Sequence, residues 1–210
     1  MSFGEMIARR RRSALDTRAS MLNAARQRFL RESYENVGLR DIAKDVGVDV
    51  ALVSRYFGSK EELFREVLHG SDKADKFQIA VGPEELACYL TAMFDGKEDE
   101  EQRENLERLV IVLRSSSSPQ AAAIVHEAVH EDVLQPIADV LGGGEEAEIR
   151  AAMVLTILLG GAVMRSVMSV GPDCGQGPPP AIRRKLYELF RTALKETPDA
   201  AQEGAVEPVA

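Results

Sequence analysis

The stretch GLRDIAKDVGVDVALVSRYFGSKEELF (38–64) packs two short helical patterns and the start of a third into 27 positions, with single glycines between them. Ile42, Ala43 and Val46 share one face of a helix over 39–46, with Gly38 as its N-cap. Gly47 ends that helix, because glycine takes the left-handed conformation that side chains resist. Val48 plugs the turn, and Asp49 caps a third helix of about two turns, 50–57. Gly58 stops it. Ser59 and Glu62 then form a capping box for a fourth helix, where Leu63 pairs with Val67 and Phe64 with Leu68 at i, i+4. Two helices joined by a tight glycine-containing turn have the pattern of a helix-turn-helix. In that unit the second helix enters the DNA major groove while the first crosses above it, which accounts for the shortness. An αα-hairpin with no DNA role fits the same periodicity.

Upstream, Leu22, Ala25 and Phe29 recur at i, i+3, i+7 and predict a first helix from about Thr17 to Arg31, with Met21 and Leu30 beside its buried face. Arg18, Arg26, Arg28 and Arg31 fall largely elsewhere, on what reads as a solvated face. Residues 1–14, with Arg9 to Arg12 in a row, read as a flexible basic arm, either a solvated tail or a segment that orders on DNA.

The chain has 210 residues, of which 45% are hydrophobic, enough for a core, and it has no Trp. Cys88 and Cys174 lie far apart, which excludes a disulfide framework or a CxxC metal site and suits reduced thiols in the cytoplasm. Residues 1–13 contain four arginines and no apolar run, so no secretory signal is expected. The most apolar stretch, 151–164, is free of charge for 14 residues, a length that suits a buried core helix better than a membrane span. Net charge is −8, but residues 1–70 carry 13 basic and 10 acidic groups, a net of +3, which leaves −11 for 71–210. The positive charge is concentrated at one end, where a phosphate-bearing partner fits.

At these residues the segment 16–68 resembles the DNA-binding domain of the TetR family of bacterial transcriptional regulators. The resemblance rests on Arg40-Asp41-Ile42-Ala43, on the Gly47-Val48 turn, and above all on YFGSKEELF (56–64). It implies an all-α protein: a three-helix helix-turn-helix domain at 15–70 and a larger helical ligand-binding and dimerisation domain at 71–197; by its composition the end of the chain, 198–210, reads as a disordered tail. Three positions depart from the family pattern. Ser33 stands where Gly is usual, Gly38 replaces a Thr or Ser, and Asp49 replaces a Ser or Thr.

Matching positions imply that Lys60 and Tyr56 hold DNA phosphates, with Ser59 beside them at the helix start, and that Arg40 reaches a guanine. On the third helix Val53 and Phe57 should face the core. Val50, Ala51 and Leu52 are suited only to thymine methyls, which leaves hydrogen-bond readout to Arg40, Arg55 and Ser54.

Beyond residue 71, helices are expected at about 83–95, 100–115, 119–141 (Ser118 as cap, with a kink near Pro136), 145–169 and 180–196. The resemblance implies a homodimer through the last two, with Gly160, Gly161, Ala151 and Ala152 allowing close helix approach. It also implies an effector pocket, for which Tyr89, Met93, Leu109, Leu113, Val125, His126, Val129 and Met153 are the candidates. The pair His126 and His130, at i, i+4, lacks a convergent third ligand, so neither metal nor other cofactor is expected. The implied function is repression of a palindromic double-stranded DNA operator, relieved by a small-molecule effector. A helical dimer with degenerate DNA binding is the alternative. An enzyme is disfavoured, since no GxGxxG, Walker, HExxH or GxSxG motif is present.

Overall fold

The computed structural model describes residues 3–69, 82–94, 100–168 and 179–196, with backbone alone at 3–13, 100–102 and 166–168. The predicted tail at 198–210, Cys174 and most of the loop 171–180 lie outside the described residues. Among those described, every regular element is helical. The DNA-binding unit contains α1 (Phe3–Arg31), α2 (Leu39–Val46), α3 (Val50–Phe57) and α4 (Lys60–His69). The larger part contains α5 (Pro83–Ala92), α6 (Glu100–Ser115), α7 (Ala122–Val129), a π-helical turn (His130–Leu134), α8 (Gln135–Val140), α9 (Glu145–Met168) and α10 (Pro180–Ala193).

Helix α1 starts at Phe3, well before the expected Thr17, so the backbone of 3–14 continues a helix instead of forming a separate arm. The cause is local: after Gly4 no glycine or proline interrupts the run to Arg31, and Ala, Leu, Met and Arg are strong helix formers. The apolar period marks only the packed portion, where Met21, Ala25 and Phe29 are buried at i, i+4, i+8 and Leu22 is half-buried beside them. The arginines of this helix are not simply a solvated face. Arg28 donates two hydrogen bonds to the Asp45 carboxylate, at 2.6 and 2.8 Å, and fastens α1 to α2. Arg18 pairs with Glu66 and lies 4.9 Å over the Phe57 ring, while Arg26 reaches Glu104 and Glu107 on α6.

Phe29, Tyr34 and Phe64 form the centre of the first core, with ring centroids 4.7 to 6.0 Å apart. Ile111, Ala121, Ile124, Val125 and Ala128 belong to this same cluster. The DNA-binding unit therefore shares its core with α6 and α7. A second core joins α5, α6, α8, α9 and α10 around Leu86, Leu90, Phe94, Val154, Leu158 and Phe190.

The segment expected as a kinked helix begins with turn residues that Ser118 caps: its hydroxyl accepts from the Ala121 N–H at 3.2 Å. Pro136 then acts through a wider turn. Its ring has no N–H to give the Asp132 carbonyl, and the chain answers with a π-turn in which the Gln135 N–H reaches the His130 carbonyl.

Helix α9 departs in part from a buried core helix. Ala147, Ala151, Val154, Leu158 and Ala162 form one buried stripe, but Ile149, Met153 and Met164 are more than half exposed. Its 145–165 stretch is long and apolar enough to cross a membrane by length and composition, with mean hydropathy 1.7. The buried stripe is that of a helix packed on a protein core.

Candidate nucleic-acid interface and cavity

Short-range chemistry sets the aim of α3. Gly47 takes the left-handed conformation (φ 74°), and the Val48 N–H bonds the Ala43 carbonyl at 2.9 Å, closing α2. Asp49 then caps α3 by accepting from the Ala51 N–H at 2.7 Å. At the far end Gly58 (φ 76°) turns the chain, and the Ser59 hydroxyl accepts from the Glu62 N–H at 3.1 Å to start α4. Gly38 opens α2 through its own backbone. The Asp41 carboxylate accepts from the Gly38 N–H at 3.2 Å, and a Cβ on residue 38 would lie 2.9 Å from that carboxylate.

Val53 and Phe57 are buried, as expected, and anchor α3. Opposite them Ala51, Ser54 and Arg55 are exposed at i, i+3, i+4, with Val50 and Leu52 half-buried on either flank. Arg40 is exposed on α2, and one turn later so is Lys44, which was not singled out from sequence although basic residues at i, i+4 mark one helix face. Tyr56 is half-buried, and its hydroxyl donates to the Ala14 carbonyl at 3.3 Å, which brings α1 against the end of α3. Lys60 is half-buried too, with its Nζ 4.1 Å over the Tyr34 ring. Burial holds the Lys60 amine below the usual lysine range, and Glu35 and Glu61 oppose that shift.

A second feature is a cavity of about 80 Å³ between α4, α5, α6, the α7 and π-turn segment and α9. Of the eight pocket candidates, Tyr89, Met93, Leu109 and Val129 line it. The other four candidates do not. Leu113 and Met153 are exposed, His126 is exposed on α7, and Val125 packs into the core shared with the DNA-binding unit. Helical period shows that a face is apolar but not which neighbour it meets; on α6, Val112 takes the wall beyond Leu109. Following apolar stripes also misses polar walls. His69, Asn105, Arg108 and Asp132 all line this cavity. His69 Nδ1 stands 2.8 Å from Asp132 Oδ2, and Arg108 lies 3.7 Å from Glu104. The His126 and His130 rings stack at 6.3 Å, and among the described residues no group of three or more potential ligands converges on a metal position.

The small residues of α9 divide between two faces. Gly160 and Ala152 face outward, whereas Ala151 is buried and Gly161 lies against the Phe94 ring. Exposed apolar side chains on the outer faces are Ile149, Met153 and Met164 of α9 and Ile182 and Leu189 of α10.

Two family models match the chain. The model of bacterial regulatory proteins of the tetR family covers residues 21–67, and that of the tetracyclin repressor-like C-terminal domain covers 84–194. No curated protein matches. Among solved structures, NalD, described as the secondary repressor of the MexAB-OprM multidrug efflux pump in Pseudomonas aeruginosa, superposes with a TM-score of 0.61. Identity there is 18% over 87% of this chain and 97% of that one. A HlyIIR mutant with a substituted linker gives 0.56 at 18% identity, covering 89% and 99%. A transcriptional regulator from Rhodococcus sp. Rha1 gives 0.52 at 20% identity, covering 84% and 93%. At such identities the neighbours attest the fold alone, but the C-terminal family model by itself spans more than half the chain. With the helix-turn-helix geometry and both family models in agreement, the chain belongs to the TetR family of transcriptional regulators.

Proposed function

We propose that this regulator is a repressor that binds a palindromic operator as a homodimer in the bacterial cytoplasm and is released by a small-molecule effector. One observation carries the DNA-binding part: α3 is anchored by Val53 and Phe57 and presents Ala51, Ser54 and Arg55 to solvent, with Arg40 and Lys60 flanking. In the groove Arg40 and Arg55 read base edges, Val50, Ala51 and Leu52 meet thymine methyls, and Tyr56, Ser59 and Lys60 sit at phosphates. The Tyr56 bond holds the α1 backbone at Ala14 against the end of α3, which supports a backbone contact from the basic run 9–12 that precedes it in sequence.

The outward apolar residues of α9 and α10 support self-association there, which sets two recognition helices about one DNA turn, roughly 34–36 Å, apart. Helix α4 supports the coupling. Its ten residues span about 15 Å, with Lys60 at the DNA end and Leu68 and His69 at the cavity. An effector that prefers another arrangement of the cavity walls moves α4 and spoils the spacing, by no more than its differential affinity for the two states. Like-folded NalD is by description a repressor, which favours that sign.

The carboxylate of Asp49 at the start of α3, together with the apolar Val50, Ala51 and Leu52, favours the second reading, a helical dimer with degenerate DNA binding. Selection of genomic fragments by the purified protein separates the two. An enriched inverted repeat supports the repressor, while salt-sensitive binding with no sequence preference leaves the degenerate form.

A further inference from the structure

The charged lining of the cavity specifies what it holds. Besides the Tyr89 phenol, three ionisable side chains reach it: His69 from α4, Arg108 from α6 and Asp132 from the π-turn. Arg108 is answered on its own helix by Glu104 at 3.7 Å, and Glu104 in turn holds Arg26 of α1. Asp132 is answered across the domain boundary by an imidazole, Nδ1 to Oδ2 2.8 Å. The two pairs differ in strength of kind. Guanidinium is a permanent cation, whereas an imidazole is a full cation only when protonated.

A ligand anion meets the Asp132 carboxylate and has to take Arg108 from a carboxylate that also secures α1. A ligand cation meets the Asp132 carboxylate with opposite charge and donates charge-assisted hydrogen bonds to it. Apart from Asn105, the remaining wall is apolar or aromatic, with Tyr89, Met93, Leu109 and Val133 there to meet an alkyl body. Pro136 keeps the carboxylate where it is, because the π-turn it enforces carries Asp132. The volume, about 80 Å³, is below the ~150 Å³ that holds a benzene ring, so the occupant is small, roughly four to six heavy atoms once the open mouth is included.

We propose that this cavity takes a small primary amine or amidine, whose cationic group pairs with Asp132 in place of His69. This deepens the effector reading and rests on it: the group displaced is the last residue of α4, so binding undoes a direct tie between cavity and DNA-binding unit.

The test uses three probes of matched size, n-butylamine, n-butanol and butyrate, titrated calorimetrically into the full chain at one pH. The amine should bind at least tenfold more tightly than either of the others. Asp132→Asn, nearly isosteric, should erase that preference, and His69→Ala, which removes the competitor, should raise amine affinity several-fold; circular dichroism checks that both variants keep their helices. Equal binding of butanol or butyrate, amine binding unchanged by Asp132→Asn, or no binding of any probe would overturn the proposal. Operator affinity is measured in parallel. An amine that binds through Asp132 and leaves operator affinity unchanged supports the ligand class and overturns the effector reading.

Discussion

Gly160 and Gly161 sit side by side on α9 and should respond oppositely to the same methyl group. A Cβ on Gly161 would lie 2.6 and 2.7 Å from two carbons of the Phe94 ring, about 1 Å inside the 3.5–4.0 Å of ordinary carbon contact. The ring has little room to yield. It is 3% exposed and stacks on the fully buried Phe190 at 6.4 Å. A Cβ on Gly160 meets nothing within 4 Å. Replacing either glycine by alanine gains the same helix propensity, about 1 kcal/mol, so the propensity cancels between the two variants. What remains is overpacking, about 1–3 kcal/mol against Gly161→Ala. At about 2–4 °C per kcal/mol for a chain of this size, the two variants should differ by roughly 2–12 °C in Tm. Urea unfolding at equal protein concentration, with light scattering to confirm the same oligomeric state, gives the comparison directly. Equal midpoints with equal slopes would refute the placement of Gly161 against Phe94. Gly160→Ala carries a second readout: if α9 packs on its copy in a dimer, the added methyl weakens self-association without loosening the subunit.

Burial, and then the Glu61 carboxylate, push the Tyr34 phenol from its ordinary 10 up to about 12. A raised folded-state value means that Tyr34 stabilises the fold fully below pH 10 and that this stability is lost as pH rises toward 12. The loss in that window, followed as Tm against pH, should be visibly smaller in Tyr34→Phe. At the start of α3, Asp49→Ala removes the cap and should cost about 1 kcal/mol of unfolding free energy. Asp49→Ser keeps a capping oxygen and removes a carboxylate near phosphate, so it should hold stability and raise operator affinity, measured by fluorescence anisotropy; a fall in affinity would mean that the carboxylate itself contacts the DNA favourably.

The elements of the DNA-binding unit after α1 were legible because their punctuation is local. Gly47 and Gly58 need positive φ, and Asp49 and Ser59 bond backbone N–H groups two or three residues on, so the signal and the structure it specifies lie within a few positions of each other. The same holds for Ser118 and for the proline that opens α5. The start of α1 was not legible, since period marks only its packed part and the preceding turns are helical without a buried stripe. Pro136 announced a kink but not that the chain would absorb it as a π-turn. In the cavity, apolar period identified Tyr89, Met93, Leu109 and Val129 but also named Leu113, Val125, His126 and Met153, whose faces meet solvent or another core. The pairing of His69 with Asp132, 63 residues apart, and the division of Gly160 from Gly161 depend on which helices pack together. No local pattern encodes that.

The most direct measurement is the salt dependence of affinity for the selected operator, with wild type and Lys60→Ala. If one Lys60 from each subunit holds a phosphate, the variant should bind more weakly at every salt concentration, and the slope of log affinity against log salt should be shallower by about 1.8, since each phosphate contact contributes about 0.9. Parallel slopes for the two proteins, with an operator enriched and bound, would contradict the placement of α4 at the DNA backbone and with it the proposed route from cavity to groove.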